Sequence, residues 1–130
     1  MKQLLNELAV SEMLAAKHAV LFFWVDWSNY AKRGTKLVEA AEAQFASECL
    51  AESVSWWTGD FSSTDSPIDR VIHRWLIEQD QKGTIQLFPN IAMGSGSIIW
   101  ISSGDILSFA ASAMNLELDG IVQRTASVFK

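Results

Sequence analysis

Cysteine is almost missing from this chain: Cys49 is the single one in 130 residues. A lone thiol excludes an intrachain disulfide and any metal site built from several cysteines. Histidine is nearly as scarce. His18 and His73 stand far apart, without the Glu or His spacing of a metal motif, and read as structural side chains. Positive charge is also in short supply, with ten basic against fifteen acidic residues and a net charge of −5. That balance argues against nucleic acid or an anionic membrane as the main partner, since both need a basic surface. No apolar run approaches the length of a bilayer crossing. The apolar run 19–25 stops at Asp26 with no small-residue cleavage site after it, so a secretory signal is not expected. The expectation is a cytoplasmic protein with no bound cofactor.

What is present is core. Hydrophobic residues make up 49% and charged residues 19%, which excludes disorder. There is no internal repeat, and no Gly/Ser linker separates two halves, so residues 1–130 read as one domain.

Leu4, Leu5, Leu8, Met13 and Leu14 recur at roughly helical spacing and predict that the first eighteen residues form an amphipathic N-terminal helix. Residues 19–25 form a continuous apolar run, the pattern of a strand covered on both faces. Ser28 or Asn29 then caps a helix expected from about Tyr30 to Leu50, with Leu37, Ala41, Phe45 and Cys49 in one stripe. Gly34 should weaken its first turns. Residues 54–61 read as a second strand, with Trp56 and Trp57 pointing to opposite faces. Ser66-Pro67-Ile68-Asp69 is a helix opening, with a serine cap, a proline in the first turn and an acid three residues after the cap. A short strand over 97–102, a tight turn at Ser103-Gly104-Asp105 and an antiparallel partner over 106–113 make a hairpin. Asn115 is expected to cap the last helix, with Glu117 and Asp119 in its first turn.

Two separated motifs give this order a meaning. Phe23-Trp24-Val25-Asp26-Trp27-Ser28-Asn29-Tyr30-Ala31-Lys32 resembles the F-W-x-x-W-C-G-P-C-K active-site signature of thioredoxins, with Ser28 and Ala31 in the cysteine positions. Gly96-Ser97, followed by Gly104, is similar to the family's P-T-x-x-x-x-x-x-G segment, with Gly96 in place of the cis-proline. The resemblance spans nearly the whole chain, although residues 59–95 are longer than in a minimal thioredoxin. It implies an α/β, thioredoxin-like three-layer sandwich: a mixed central sheet of four to five strands with helices on both faces.

The departures imply the loss of the family's chemistry. Disulfide exchange needs a thiolate favoured by the helix N-terminus and a second thiol to resolve the mixed disulfide. A serine hydroxyl is too weak an acid for the first role, and Ala31 has no functional group for the second. The family's buried acid is replaced by Phe22. Cys49, in line with Leu37, Ala41 and Phe45, reads as a buried, inert residue.

The leading expectation is therefore a redox-inactive interaction module. In the family it resembles, substrates lie across the cis-proline loop and the active-site turn. That surface maps to Trp27, Ser28, Asn29, Tyr30, Ser95, Gly96 and Ser97, and its partner would be a protein or peptide. Trp24, Trp75 and Trp100 read as core, whereas Trp27 and Tyr30 flank a polar turn at a strand end, where open α/β sheets bind ligands. Two alternatives remain. One is a non-redox enzyme, a transferase or hydrolase holding an anion near Ser28 and Lys32. The other is a structural domain that forms a homodimer.

Overall fold

The computed structural model describes residues 1–48, 54–63, 66–88 and 93–130. The strands are β1 (Lys2–Gln3), β2 (Ala19–Trp24), β3 (Ser55–Asp60), β4 (Ile98–Ser102) and β5 (Asp105–Ala110). The helices are α1 (Glu7–Ala15), α2 (Asn29–Glu48), α3 (Pro67–Gln81) and α4 (Ala113–Val128). Cys49 and Leu50, expected at the end of α2, lie outside the described residues.

The strands form one sheet in the order β1-β3-β2-β4-β5. β1, β3 and β2 run parallel, while β4 is antiparallel to both β2 and β5. Strand alternation sends successive side chains to opposite faces. Leu21, Phe23, Trp57, Ile99 and Ile101 thus join the core under α1 and α3, with Val10, Ile72 and Leu76. Val20, Phe22, Trp56, Ile98 and Trp100 join the core on the other face, with Val38, Phe45, Ile121 and Val122 from α2 and α4. Adjacent Trp56 and Trp57 are both buried because helices cover both faces. This is the expected mixed sandwich.

Local signals set several boundaries. The Ser66 hydroxyl accepts the Asp69 N–H at 3.1 Å and opens α3. The β4–β5 turn has φ of 49° at Ser103 and 87° at Gly104, the two positive values a tight hairpin requires. Trp75 and Gln79 of α3 both donate to the Gly104 carbonyl, at 2.9 and 3.3 Å, tying that hairpin down.

Two expectations are corrected. The N-terminal helix starts only at Glu7, where the Asn6 side chain accepts the Ala9 N–H at 2.9 Å. Before it, Lys2 and Gln3 pair with Trp57 and Thr58, a long-range contact that overrides the leucine spacing. The spacing found the buried face only in part: Leu4 and Met13 are buried and Leu14 packs against the core, whereas Leu5 and Leu8 are exposed and Val10 takes the inner position. At the other end, α4 begins at Ala113 and is broken at Glu117, whose φ of 59° and ψ of 177° are not helical. Asn115 therefore sits inside a single first turn, with its N–H on the Ser112 carbonyl. No described helix is long and apolar enough to cross a membrane.

Candidate functional site

The carboxyl end of β2 leads into a turn and then into α2. Val25 is buried, Asp26 is exposed, and the Asp26 N–H is held by the Ser62 hydroxyl at 2.8 Å. Ser28 is the N-cap of α2. Its Oγ accepts the Ala31 N–H at 3.3 Å, and its carbonyl accepts the Lys32 N–H at 3.1 Å. The same hydroxyl donates to the Gly94 carbonyl at 2.5 Å, so it stitches the helix start to the loop before β4. Ser28 is only 5% exposed.

This geometry bears on the enzymatic alternative. The Ser28 proton is committed to a carbonyl, and no histidine stands by to take it. His18 precedes β2 at its opposite end, stacked on Phe129, roughly 20 Å of strand away. His73 pairs with Asp69 one turn away on α3, at 3.4 Å. Among the described residues, no group of three His, Cys, Asp or Glu side chains converges as a metal site would need.

Around the stitched serine, Trp27 is 67% exposed and Tyr30 63%, the two large aromatics left at the surface. The Trp27 ring and the Tyr30 backbone each lie against a glycine. A Cβ on Gly94 would fall 2.3 Å from Trp27 Cη2, so the indole lies directly against that backbone. A Cβ on Gly96 would fall 3.2 Å from the Tyr30 carbonyl oxygen. Gly96 has φ of 68°, far from the −65° that a proline ring imposes. The loop therefore reaches the turn in a different backbone conformation from the one a proline would give.

The remaining sequence-predicted residues divide. Asn29 is exposed and Ser95 half-buried, both beside the turn. Ser97 is fully buried, with its hydroxyl on the Ala111 carbonyl at 2.7 Å, so it shapes the site from beneath and offers no surface. Backbone pairing at the site is also restricted. β4 is paired on both sides, by β2 and β5, and the sheet's outer strands are β1 and β5. In the loop itself, the Gly94 carbonyl takes the Ser28 hydroxyl and the Gly96 carbonyl takes the Ala113 N–H at 2.8 Å.

Gly94 is not among the predicted site residues, although the Gly94-Ser95-Gly96 run reads as a loop beside the turn, and its carbonyl takes the Ser28 hydroxyl. Trp24, expected in the core, packs against both core clusters but is not closed off. It is half-buried and lines a cavity of about 320 Å³ with Gln3, Thr35, Thr58, Gly59 and Asp60, just behind the turn. That cavity brings together residues from four elements, which no local pattern reveals.

No family model and no curated protein matches the chain. Solved structures do. The chain is similar to the thioredoxin of Malassezia sympodialis at 11% identity and a TM-score of 0.61, over 100% of this chain and 91% of that one. Fasciola hepatica thioredoxin gives 16% identity and a TM-score of 0.57, over 96% and 99%. A putative oxidoreductase with a thioredoxin fold gives 6% identity and a TM-score of 0.64, over 94% and 90%. The chain thus has the thioredoxin fold with a single cysteine and no Cys-x-x-Cys pair.

Proposed function

We propose that this thioredoxin-fold chain is a redox-inactive interaction domain that binds a protein or peptide segment across its Ser28 turn. The observation that carries the reading is the pair Trp27 and Tyr30, left exposed on a turn whose serine hydroxyl is committed internally. Exposed aromatics on a rigid support suit binding because little conformational entropy is lost when they are covered. Each brings roughly 150–250 Å² of surface, and aromatic anchors of this kind dominate interface energetics.

Asn29 and Ser95 flank the aromatics as polar contacts, while Ser28, Gly96 and Ser97 hold the shape. Partner recognition here rests on side chains more than on strand addition, because the nearby strand is already paired. Disulfide exchange is set aside by composition: a hydroxyl at Ser28 and a methyl at Ala31 cannot form or resolve a mixed disulfide.

The test is affinity capture from the native host with the Trp27→Ala, Tyr30→Ala double variant as control. Capture that depends on the two rings supports the reading, and unchanged capture by the variant counts against this surface. An insulin-reduction assay checks the redox claim, where turnover would overturn it.

A further inference from the structure

We infer that the groove between α2 and α4 takes an acidic segment of a partner protein, seated by an apolar side chain on its floor. This rests on the reading of the Trp27–Tyr30 turn as an interaction surface and extends it. The groove has a volume of about 530 Å³ and is lined by Arg33, Lys36, Leu37, Ala40, Met114 and Glu117. Tyr30, Arg33, Leu37 and Ala40 fall at i, i+3, i+7 and i+10, which places them on one stripe of α2. The groove therefore continues the exposed aromatic rim along the helix.

Charge decides what fits there. The chain as a whole carries −5. Even so, the first eight residues of α2 hold Lys32, Arg33 and Lys36 with no acid, and the acids Glu39, Glu42 and Glu48 follow in its second half. That is the reverse of the order the helix macrodipole favours. Lys32 and Lys36 are also a like-charge i,i+4 pair, which destabilises a helix. None of the three cations makes an ion pair with a described residue. The arrangement does nothing for the helix itself, and it offers a partner three cations that are unpaired among the described residues. Among the groove's lining residues Glu117 is the one carboxylate, on the α4 side, while Arg33 and Lys36 line the α2 side. Leu37 and Met114 supply the apolar floor.

The occupant that satisfies this lining is a peptide with several carboxylates around one leucine-like anchor. Complementary charge of this kind steers encounter and rejects partners of the wrong sign.

The experiment uses two fluorescein-labelled decapeptides. One is built of glutamate and aspartate around a central leucine, and the other has lysine in place of every acid. Anisotropy titrations follow each against the wild type, against Arg33→Glu with Lys36→Glu, against Glu117→Gln, and against Trp27→Ala with Tyr30→Ala. The acidic peptide is expected to bind the wild type, to lose affinity by about tenfold or more in the charge-reversed variant, and to weaken steeply with salt. Glu117→Gln should tighten it, a gain that misfolding cannot mimic. Binding lost on charge reversal but kept in the aromatic variant supports the groove and counts against the rim. Equal binding of the lysine peptide, indifference to charge reversal, or no binding by the wild type overturns the groove while leaving the capture test of the rim intact. Light scattering that shows a wild-type dimer dissolved by charge reversal would assign the groove to a second copy and also overturn the proposal.

Discussion

Replacing Gly34 by alanine sets two effects of known sign against each other. Gly34 lies in the first half of α2, where alanine is favoured over glycine by about 1 kcal/mol in a helix interior. Propensity alone therefore predicts stabilisation. The position is buried, however, and a Cβ there would fall 2.8 Å from Phe22 Cζ and 2.9 Å from Phe22 Cε1. Comfortable carbon contacts begin near ~3.5 Å, so ring or helix must yield by roughly 0.7 Å. Phe22 has nowhere to go: it is fully buried, in the central strand, paired to Thr58 on one side and Ile98 on the other. Overfilling such a core costs about 1–3 kcal/mol. The net expectation is a loss of about 1 kcal/mol, a drop of several degrees in Tm for a chain of this size. Urea denaturation of a double-mutant cycle checks it. In a Phe22→Leu background the ring atoms are gone, and Gly34→Ala should become stabilising by up to ~1 kcal/mol. A stabilising Gly34→Ala in the wild type, or the same sign in both backgrounds, would refute the steric account.

Other perturbations test other joints of the structure. Ser28→Ala removes the α2 cap and the bond to the Gly94 carbonyl together; it should cost about 2 kcal/mol and raise amide exchange around Gly94 and Gly96. Protection unchanged there would mean the serine does not hold the loop. Glu117→Gly relieves a backbone conformation that L residues rarely adopt, and should raise stability by about 1 kcal/mol in thermal melts. A lower Tm would refute the strain. The Lys82 ammonium, then the Gln79 amide, hold the Asp105 carboxyl below its ordinary value of 3.8. Its folded-state pKa is depressed, so its contribution is present above pH 3.8 and is lost as pH falls through that value toward the folded pKa. Asp105→Asn should therefore make chemical denaturation slightly less pH-dependent between about pH 5 and 2, an effect kept small by exposure. Identical acid limbs for both proteins would rule the pair out as a contributor.

How far the sequence reaches is clear from these same residues. Ser66-Pro67-Ile68-Asp69 and Ser103-Gly104 announce their structures because the cap and the turn are closed within four residues. β2 is legible because an unbroken apolar run has few other ways to be buried. The start of α1 is not, because pairing of Lys2 with Trp57 competes with helix formation from fifty-five residues away. Gly34 looks like a weak point of α2 until Phe22 is seen beneath it. Ser28 reads as a cap from sequence, but its bond to Gly94 crosses sixty-six positions. The break at Glu117 carries no local mark, since glutamate is an ordinary helix former.

The sequence by itself determined the order of most elements, the central sheet with two covered faces, and the lack of a second thiol. Those follow from periodicity, short-range capping and composition, all of which act within a few residues or need no geometry. Only the tertiary structure decided that Trp27 and Tyr30 stand out from the surface while Ser97 turns inward. It alone joined the glycine loop to the serine cap and laid a cationic stripe of α2 beside α4. Those outcomes depend on which distant backbones approach within a few ångströms, and such contacts are set by the packing of the whole chain.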